Sequence, residues 1–182
     1  FTPEDFTEEQ KMMKDAVHDF AEKEIWGRKS EFEKHNYDLT FEVIKKAGEL
    51  GFLGVGVPEE YGGLGMPFTS SMLVCDYISG SSGSTSTAYG AHTGIGTFPI
   101  LLYGNEEQKK KYVPKLATGE FIGCFGLTEP DFGSNPGGMI TNFKDKGDHF
   151  LLNGAKMWIS NAPFADVAVV WAKNEEGRIK GL

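Results

Sequence analysis

The chain is poor in the residues that build metal centres and disulfide frameworks. It has two cysteines and four histidines in 182 residues. Cys75 and Cys124 lie far apart and fit no CxxC or metal-ligand spacing, so reduced, partly buried thiols of an intracellular protein are expected. His18, His35, His92 and His149 show no ligand spacing either. Positive charge is also short: 18 Lys and Arg stand against 26 Asp and Glu, a net charge of −8. That balance argues against nucleic acid or an anionic membrane as partner, since phosphate recognition wants a basic face. The compact basic run Lys109–Lys111 reads as a solvated helix face. No apolar run reaches membrane-spanning length and no signal peptide opens the chain, so a soluble protein is expected. No GxGxxG follows a strand and no Walker loop appears, which removes the dinucleotide-fold and P-loop readings. The first residue is Phe1, not Met, and processing or trimming is the expected cause.

What is present is enough for a packed core: 40% hydrophobic residues and 13% aromatic. Thr7 and Gln10 have capping-box spacing ahead of Met13, Val17, Phe20 and Ala21 at helical intervals. A second helix is expected from about Leu39 to Leu50, with Gly51 as its left-handed cap. Residues 54–65 form a glycine-rich loop, and Pro67 suits the first turn of a helix reaching Ser79. Residues 81–96 are almost all Ser, Thr, Gly and Ala. A flexible linker is one reading. A buried helix approached closely along its backbone is the other, favoured because Tyr89, His92 and Ile95 interrupt the low complexity. Asn105 and Gln108 open a last helix, with an interruption expected near Pro114.

Strand character begins at about Phe121. Phe121–Leu127 and Val167–Trp171 read as strands, and 143–153 as a hairpin turning at Lys146-Gly147-Asp148. Helices first and strands second give an α+β expectation with two parts, 1–120 and 121–182. The strands are too few to close a barrel, so a piece of a longer polypeptide is expected.

Two short segments carry the chemical signal. One is Gly126-Leu127-Thr128-Glu129-Pro130-Asp131-Phe132-Gly133-Ser134-Asn135; the other is Asn153-Gly154-Ala155-Lys156-Met157-Trp158-Ile159-Ser160-Asn161. Their hydroxyls, glycines and one indole suit a flat redox ring with a phosphate tail. Thr128 and Ser160 offer hydroxyls, Phe125 and Leu127 backbone amides, Gly133-Ser134 a place for pyrophosphate, and Trp158 a flat face. Taken singly each has a structural reading: Thr128 as a turn cap, Trp158 as core, Gly133-Ser134 as a turn. Order and spacing together point to a flavin site.

These segments resemble the acyl-CoA dehydrogenase family of flavoenzymes, which carries Leu-Thr-Glu-Pro-x-x-Gly-Ser-Asp and then Lys-x-Trp-Ile-Thr-Asn. The loop 57–63 and the stretch 104–112 are also similar. The resemblance implies an all-α N-terminal domain followed by the first part of an antiparallel β-barrel, with FAD as cofactor. It implies that Phe125, Leu127 and Thr128 contact the flavin, that Gly133 and Ser134 lie by its pyrophosphate, and that Trp158, Ile159 and Ser160 run along the ring. Ser134 would also approach CoA, and the helix carrying Thr85, Tyr89 and His92 would line the acyl pocket. The implied reaction removes a proton from Cα and a hydride from Cβ of an acyl-CoA thioester. Electrons would pass to an electron transfer flavoprotein, and the full protein would be a tetramer, in the cytoplasm if bacterial and the mitochondrial matrix if eukaryotic.

Two positions depart from the family pattern: Asn135 stands for Asp, and Phe132 for a small residue. The family's catalytic glutamate belongs to a C-terminal domain, so none of these residues is assigned as catalytic, and Glu129 is expected to be structural. Some segments are similar to glutaryl-CoA dehydrogenases, but Thr85 aligns with their pocket arginine and no Arg lies between Ser30 and Gly177. A glutaryl substrate is therefore disfavoured, because a buried carboxylate without a cation is costly. Three alternatives remain: an acyl-CoA oxidase, a non-catalytic flavin- or acyl-CoA-binding module, and a helical interaction domain without ligand.

Overall fold

The computed structural model describes residues 5–34 and 36–182. Phe1 and His35, which entered the reading above, lie outside them. Helix α1 (Glu8–Phe20) starts at the expected capping box, with Gln10 N donating to Thr7 Oγ1 at 3.2 Å and Thr7 N to Gln10 Oε1 at 3.1 Å. It runs on through a π-helical turn (Ala21–Ile25), a 3₁₀ turn (Trp26–Arg28) and the short α2 (Lys29–Phe32). Helix α3 (Tyr37–Glu49) is capped by Asn36, and Gly51 at φ +80° follows it. Helix α4 is Phe68–Ser81; Pro67 sits at its N-cap, one residue earlier than expected.

The small-residue stretch is helical. Ser82 caps α5 (Gly83–Gly90), which passes directly into a π-helix (Ala91–Thr97) and then α6 (Phe98–Tyr103). Helix α7 (Glu106–Thr118) has its own capping box at Asn105 and Gln108 and ends at Gly119, φ +75°. It does not break at Pro114. Proline removes one helical donor and tends to kink a helix, but Val113, Leu116 and Ala117 around it are 0–3% exposed, and that burial holds the helix together.

Five strands follow: β1 (Gly123–Gly126), β2 (Asn142–Asp145), β3 (Phe150–Asn153), β4 (Val167–Lys173) and β5 (Ile179–Gly181). Their order is β1-β4-β2-β3, with β5 also on β4. The α+β class and the unclosed sheet agree with expectation, but the sheet is mixed. The β2–β3 hairpin and the β4–β5 pair are antiparallel, whereas β1 pairs with β4 in parallel, Gly123 opposite Val167. Residues 127–166, which contain both chemical segments, form the crossover that a parallel pair requires. The hairpin turns where expected, with Gly147 at φ +93°.

The main core joins α1, α3, α4 and α5 through Val17, Phe20, Val43, Ile44, Val74, Ile78 and Tyr89, and it includes Ile122 just before β1. The π-helix lies against β1 so closely that a Cβ on Gly96 would stand 2.9 Å from the Gly123 carbonyl carbon. Among the described residues no helix is long and apolar enough to cross a membrane, and no cluster of acidic, His and Cys side chains could hold a metal.

Candidate functional site

The two chemical segments lie within the sheet crossover, one at its start and one near its end, and are tied together by three bonds. Met157 N donates to Thr128 O at 2.9 Å. Lys156 Nζ donates to Leu127 O at 3.0 Å and to Glu129 Oε1 at 2.8 Å. Glu129, 2% exposed, also accepts from Ile140 N at 2.7 Å and Thr141 N at 3.0 Å. Burial alone would raise its pKa. The Lys156 ammonium and the Thr141 and Ile140 donors outweigh that and hold it at about 2. Glu129 is therefore a charged structural clamp.

The second segment is pinned at both ends. Met157 holds one end. At the other, Asn161 Nδ2 donates to Ala88 O at 2.8 Å and Gly123 O at 3.3 Å. Trp158 and Asn161 both take left-handed backbone, φ +60° and +67°. This is costly for a residue with a bulky side chain. The result is an indole lifted off the fold, 85% exposed, with Ile159 and Ser160 half-buried behind it. Trp158 is thus not core.

Ile159 and Ser160 open onto a cavity of about 400 Å³ whose far wall is Ser84, Thr87 and Ala88 of α5. Phe125, Leu127 and Thr128 are half-buried on the first segment. The Phe125 ring packs edge-on against Trp171, centroids 5.9 Å apart, which leaves its backbone as the part that can meet a ligand. Gly133 and Ser134 are exposed, and a Cβ on Gly133 would meet open space, so its own fold does not demand glycine there. Phe132 lies flat over Gly138, where a Cβ would collide with its ring, and Asn135 O accepts from Gly138 N at 3.1 Å.

The residues expected to line the acyl pocket from α5 and the π-helix after it do not border the cavity at Ser160. Thr85, Tyr89 and His92 are 1%, 3% and 0% exposed. Tyr89 Oη donates to Phe52 O at 2.8 Å, and its ring borders a separate cavity of about 190 Å³ between α4 and α5, with Val57, Met72, Cys75, Thr93 and Phe98. Both ring nitrogens of His92 are engaged by backbone, Leu116 O at 2.9 Å and Gly123 N at 3.0 Å, and burial lowers its pKa to about 4. Thr85 and His92 belong to the packed interior, and Tyr89 borders that second cavity. The helix is the expected one, but the face that meets Ser160 is 84, 87 and 88, a set legible as i, i+3, i+4. The Glu129–Lys156 clamp and the Asn161 tie were also missed as contacts.

The family profile described as the acyl-CoA dehydrogenase N-terminal domain matches residues 7–120, and the one described as the middle domain matches 124–182. The chain belongs to the acyl-CoA dehydrogenase family. It is 49% identical over 175 residues to a probable acyl-CoA dehydrogenase of Bacillus subtilis, covering 95% of this chain and 29% of that one. It is 44% identical over 166 residues to an acyl-CoA dehydrogenase of the same organism, covering 91% and 44%. A crystal structure of a Bacillus anthracis acyl-CoA dehydrogenase complexed with FAD superposes with a TM-score of 0.94 at 45% identity, covering 100% of this chain and 31% of that one. The chain thus spans less than half the length of these relatives, as a member supplying its helical and first sheet portions.

Proposed function

We propose that these residues form the flavin-binding wall and part of the acyl pocket of an FAD-dependent acyl-CoA dehydrogenase, with 1–120 the helical domain and 121–182 the start of the β-barrel domain. The observation that carries this is the pinned turn 157–161, which is bonded to Thr128 through Met157 N, holds an exposed indole, and brings Ser160 to a cavity whose α5 wall is the small residues Ser84, Thr87 and Ala88. The donor set fits the cofactor. Thr128 and Ser160 bring hydroxyls, and Phe125 and Leu127 bring backbone groups from alternate positions, which point to one edge of the strand. Ser134 and the amides near Gly133 suit pyrophosphate, with Ser134 also toward CoA, and Trp158 packs on a ring face. FAD, when bound there, supplies a two-electron acceptor.

The substrate is an acyl-CoA thioester that loses a proton at Cα and a hydride at Cβ. Ser84, Thr87 and Ala88 carry little bulk and leave room for its chain on that wall. Glu129 does not serve as the base: it is sealed in its ion pair, with a pKa of about 2. The proton acceptor is assigned to the portion of the relatives beyond these residues. An electron transfer flavoprotein as acceptor, a tetrameric assembly, and a cytoplasmic or mitochondrial-matrix location belong to the same proposal.

The test is an anaerobic titration of the parent protein with acyl-CoAs of differing length, following the visible flavin band. Bleaching by one thioester supports the assignment. A yellow protein that no thioester bleaches refutes the dehydrogenase activity and leaves a binding module, and a colourless one refutes the cofactor. Rapid reoxidation of the bleached protein in air would make it an oxidase instead.

A further inference from the structure

His92 is fully buried in the π-helix, with Nδ1 3.0 Å from the Gly123 amide nitrogen and Nε2 2.9 Å from the Leu116 carbonyl oxygen. An amide N–H only donates and a carbonyl only accepts. Nδ1 must therefore be bare and Nε2 must carry the proton. The charged ring would set a second N–H against that of Gly123. Leu116 lies in the last turn of α7 and Gly123 opens β1, so the ring spans the connection between them as a strut. The neighbouring contacts share the purpose. Thr97 Oγ1 donates to His92 O at 2.8 Å, Gly96 presses on Gly123, and Asn161 donates to Gly123 O. Two residues after Gly123 on the same strand edge is Phe125, and Leu127 and Thr128 follow.

We infer that His92 is a positioning residue: its neutral ring, protonated at Nε2, fixes the start of β1 against α7 and so sets where Phe125, Leu127 and Thr128 lie. The last step rests on the flavin site proposed above. The strut itself does not, since its two partners are backbone groups already in place.

The experiment compares the parent protein with its His92→Gln and His92→Leu variants. Glutamine keeps one acceptor and one donor; leucine keeps neither. Amide exchange is read on peptides covering 120–127 and, as a control, 37–49, and flavin release is followed by its fluorescence. His92→Leu should speed exchange over 120–127 and flavin release by about tenfold or more, the effect of leaving a buried amide unpaired, while 37–49 exchanges as before. His92→Gln should restore both to within about threefold of the parent. In ¹⁵N-histidine-labelled parent, the signal lost in both variants should report a neutral ring with its proton on Nε2. A charged ring or an Nδ1 proton overturns the inference. So does a folded His92→Leu with unchanged exchange, or a His92→Gln as perturbed as the leucine variant. If His92→Leu does not fold, the ring signal and the glutamine variant decide. A parent that holds no flavin refutes the proposed function, and the exchange and ring measurements still judge the strut.

Discussion

Replacing Glu129 by Gln keeps the size of the side chain and removes its charge. The carboxylate is 1% exposed and bonds to Lys156 Nζ at 2.8 Å, while Lys156 is itself only 12% exposed. In the variant the ammonium keeps Leu127 O but loses its counter-charge, and one head group atom of Gln turns a donor toward donors. Breaking one partner of a buried pair costs about 3–5 kcal/mol. The same contacts set a pH dependence. The folded pKa of about 2 lies below the ordinary glutamate value of 4.5, so the stabilisation is fully present above about pH 4.5 and is lost as pH falls toward 2. At about 1.4 kcal/mol per pH unit, the carboxylate contributes about 3 kcal/mol. Urea unfolding of the parent protein and of Glu129→Gln at neutral pH and at steps down through this window measures both quantities. The variant should be less stable at neutral pH and flatter in acid. Adding Lys156→Met to Glu129→Gln should cost less than the two singles summed, by more than about 1 kcal/mol. A neutral-pH loss under about 1 kcal/mol, or parallel acid profiles, would refute the clamp.

Three further outcomes follow from the same geometry. Trp158→Gly relieves the left-handed backbone and gives up an exposed side chain, so thermal stability should hold or rise by up to about 1 kcal/mol, while flavin affinity falls in a fluorescence titration. Gly96→Ala drives a methyl to within 2.9 Å of the Gly123 carbonyl carbon and should cost about 1–3 kcal/mol in denaturant unfolding. His92 should make the parent acid-sensitive in a higher window than Glu129. Its folded pKa of about 4 lies below 6.5, so stability is full above about pH 6.5 and falls as the unfolded chain gains the proton, by about 3 kcal/mol at pH 4. Tyr89 and Cys124 nearby are pushed up by burial and stay neutral there, and Lys115 is paired with Glu120 at the surface. His92→Gln should lack this slope; an unchanged slope would count against it.

What could be read from the residues was local. The caps at Thr7 and Asn105, the turn at Gly147 and the two chemical segments depend on neighbours a few positions apart, and each was legible. Contacts across the crossover were not. Glu129 meets Lys156 from 27 residues away, and nothing in either segment announces the partner. The small-residue helix was legible as a helix, but its burial was not: Thr85, Tyr89 and His92 turn inward, while Ser84, Thr87 and Ala88 meet the cavity at Ser160. The π-helix adds to the difficulty. Its wider turn brings Thr97 onto the His92 carbonyl, a spacing of five that a period of 3.6 does not anticipate. At Pro114 a sound local rule lost to burial on both sides of the ring. The parallel pairing of β1 with β4 was hidden because it is decided by where the crossover returns, not by either strand.

Gly123 has both of its outward backbone groups committed, the N–H to His92 and the carbonyl to Asn161. β1 is the end of the sheet order, and a bare strand end of this kind invites pairing with a strand from another molecule. Here the first residue of the strand is already spoken for by two side chains from different parts of the chain. An incoming strand finds that first position closed, and the part of the edge left open is the stretch from Phe125 onward.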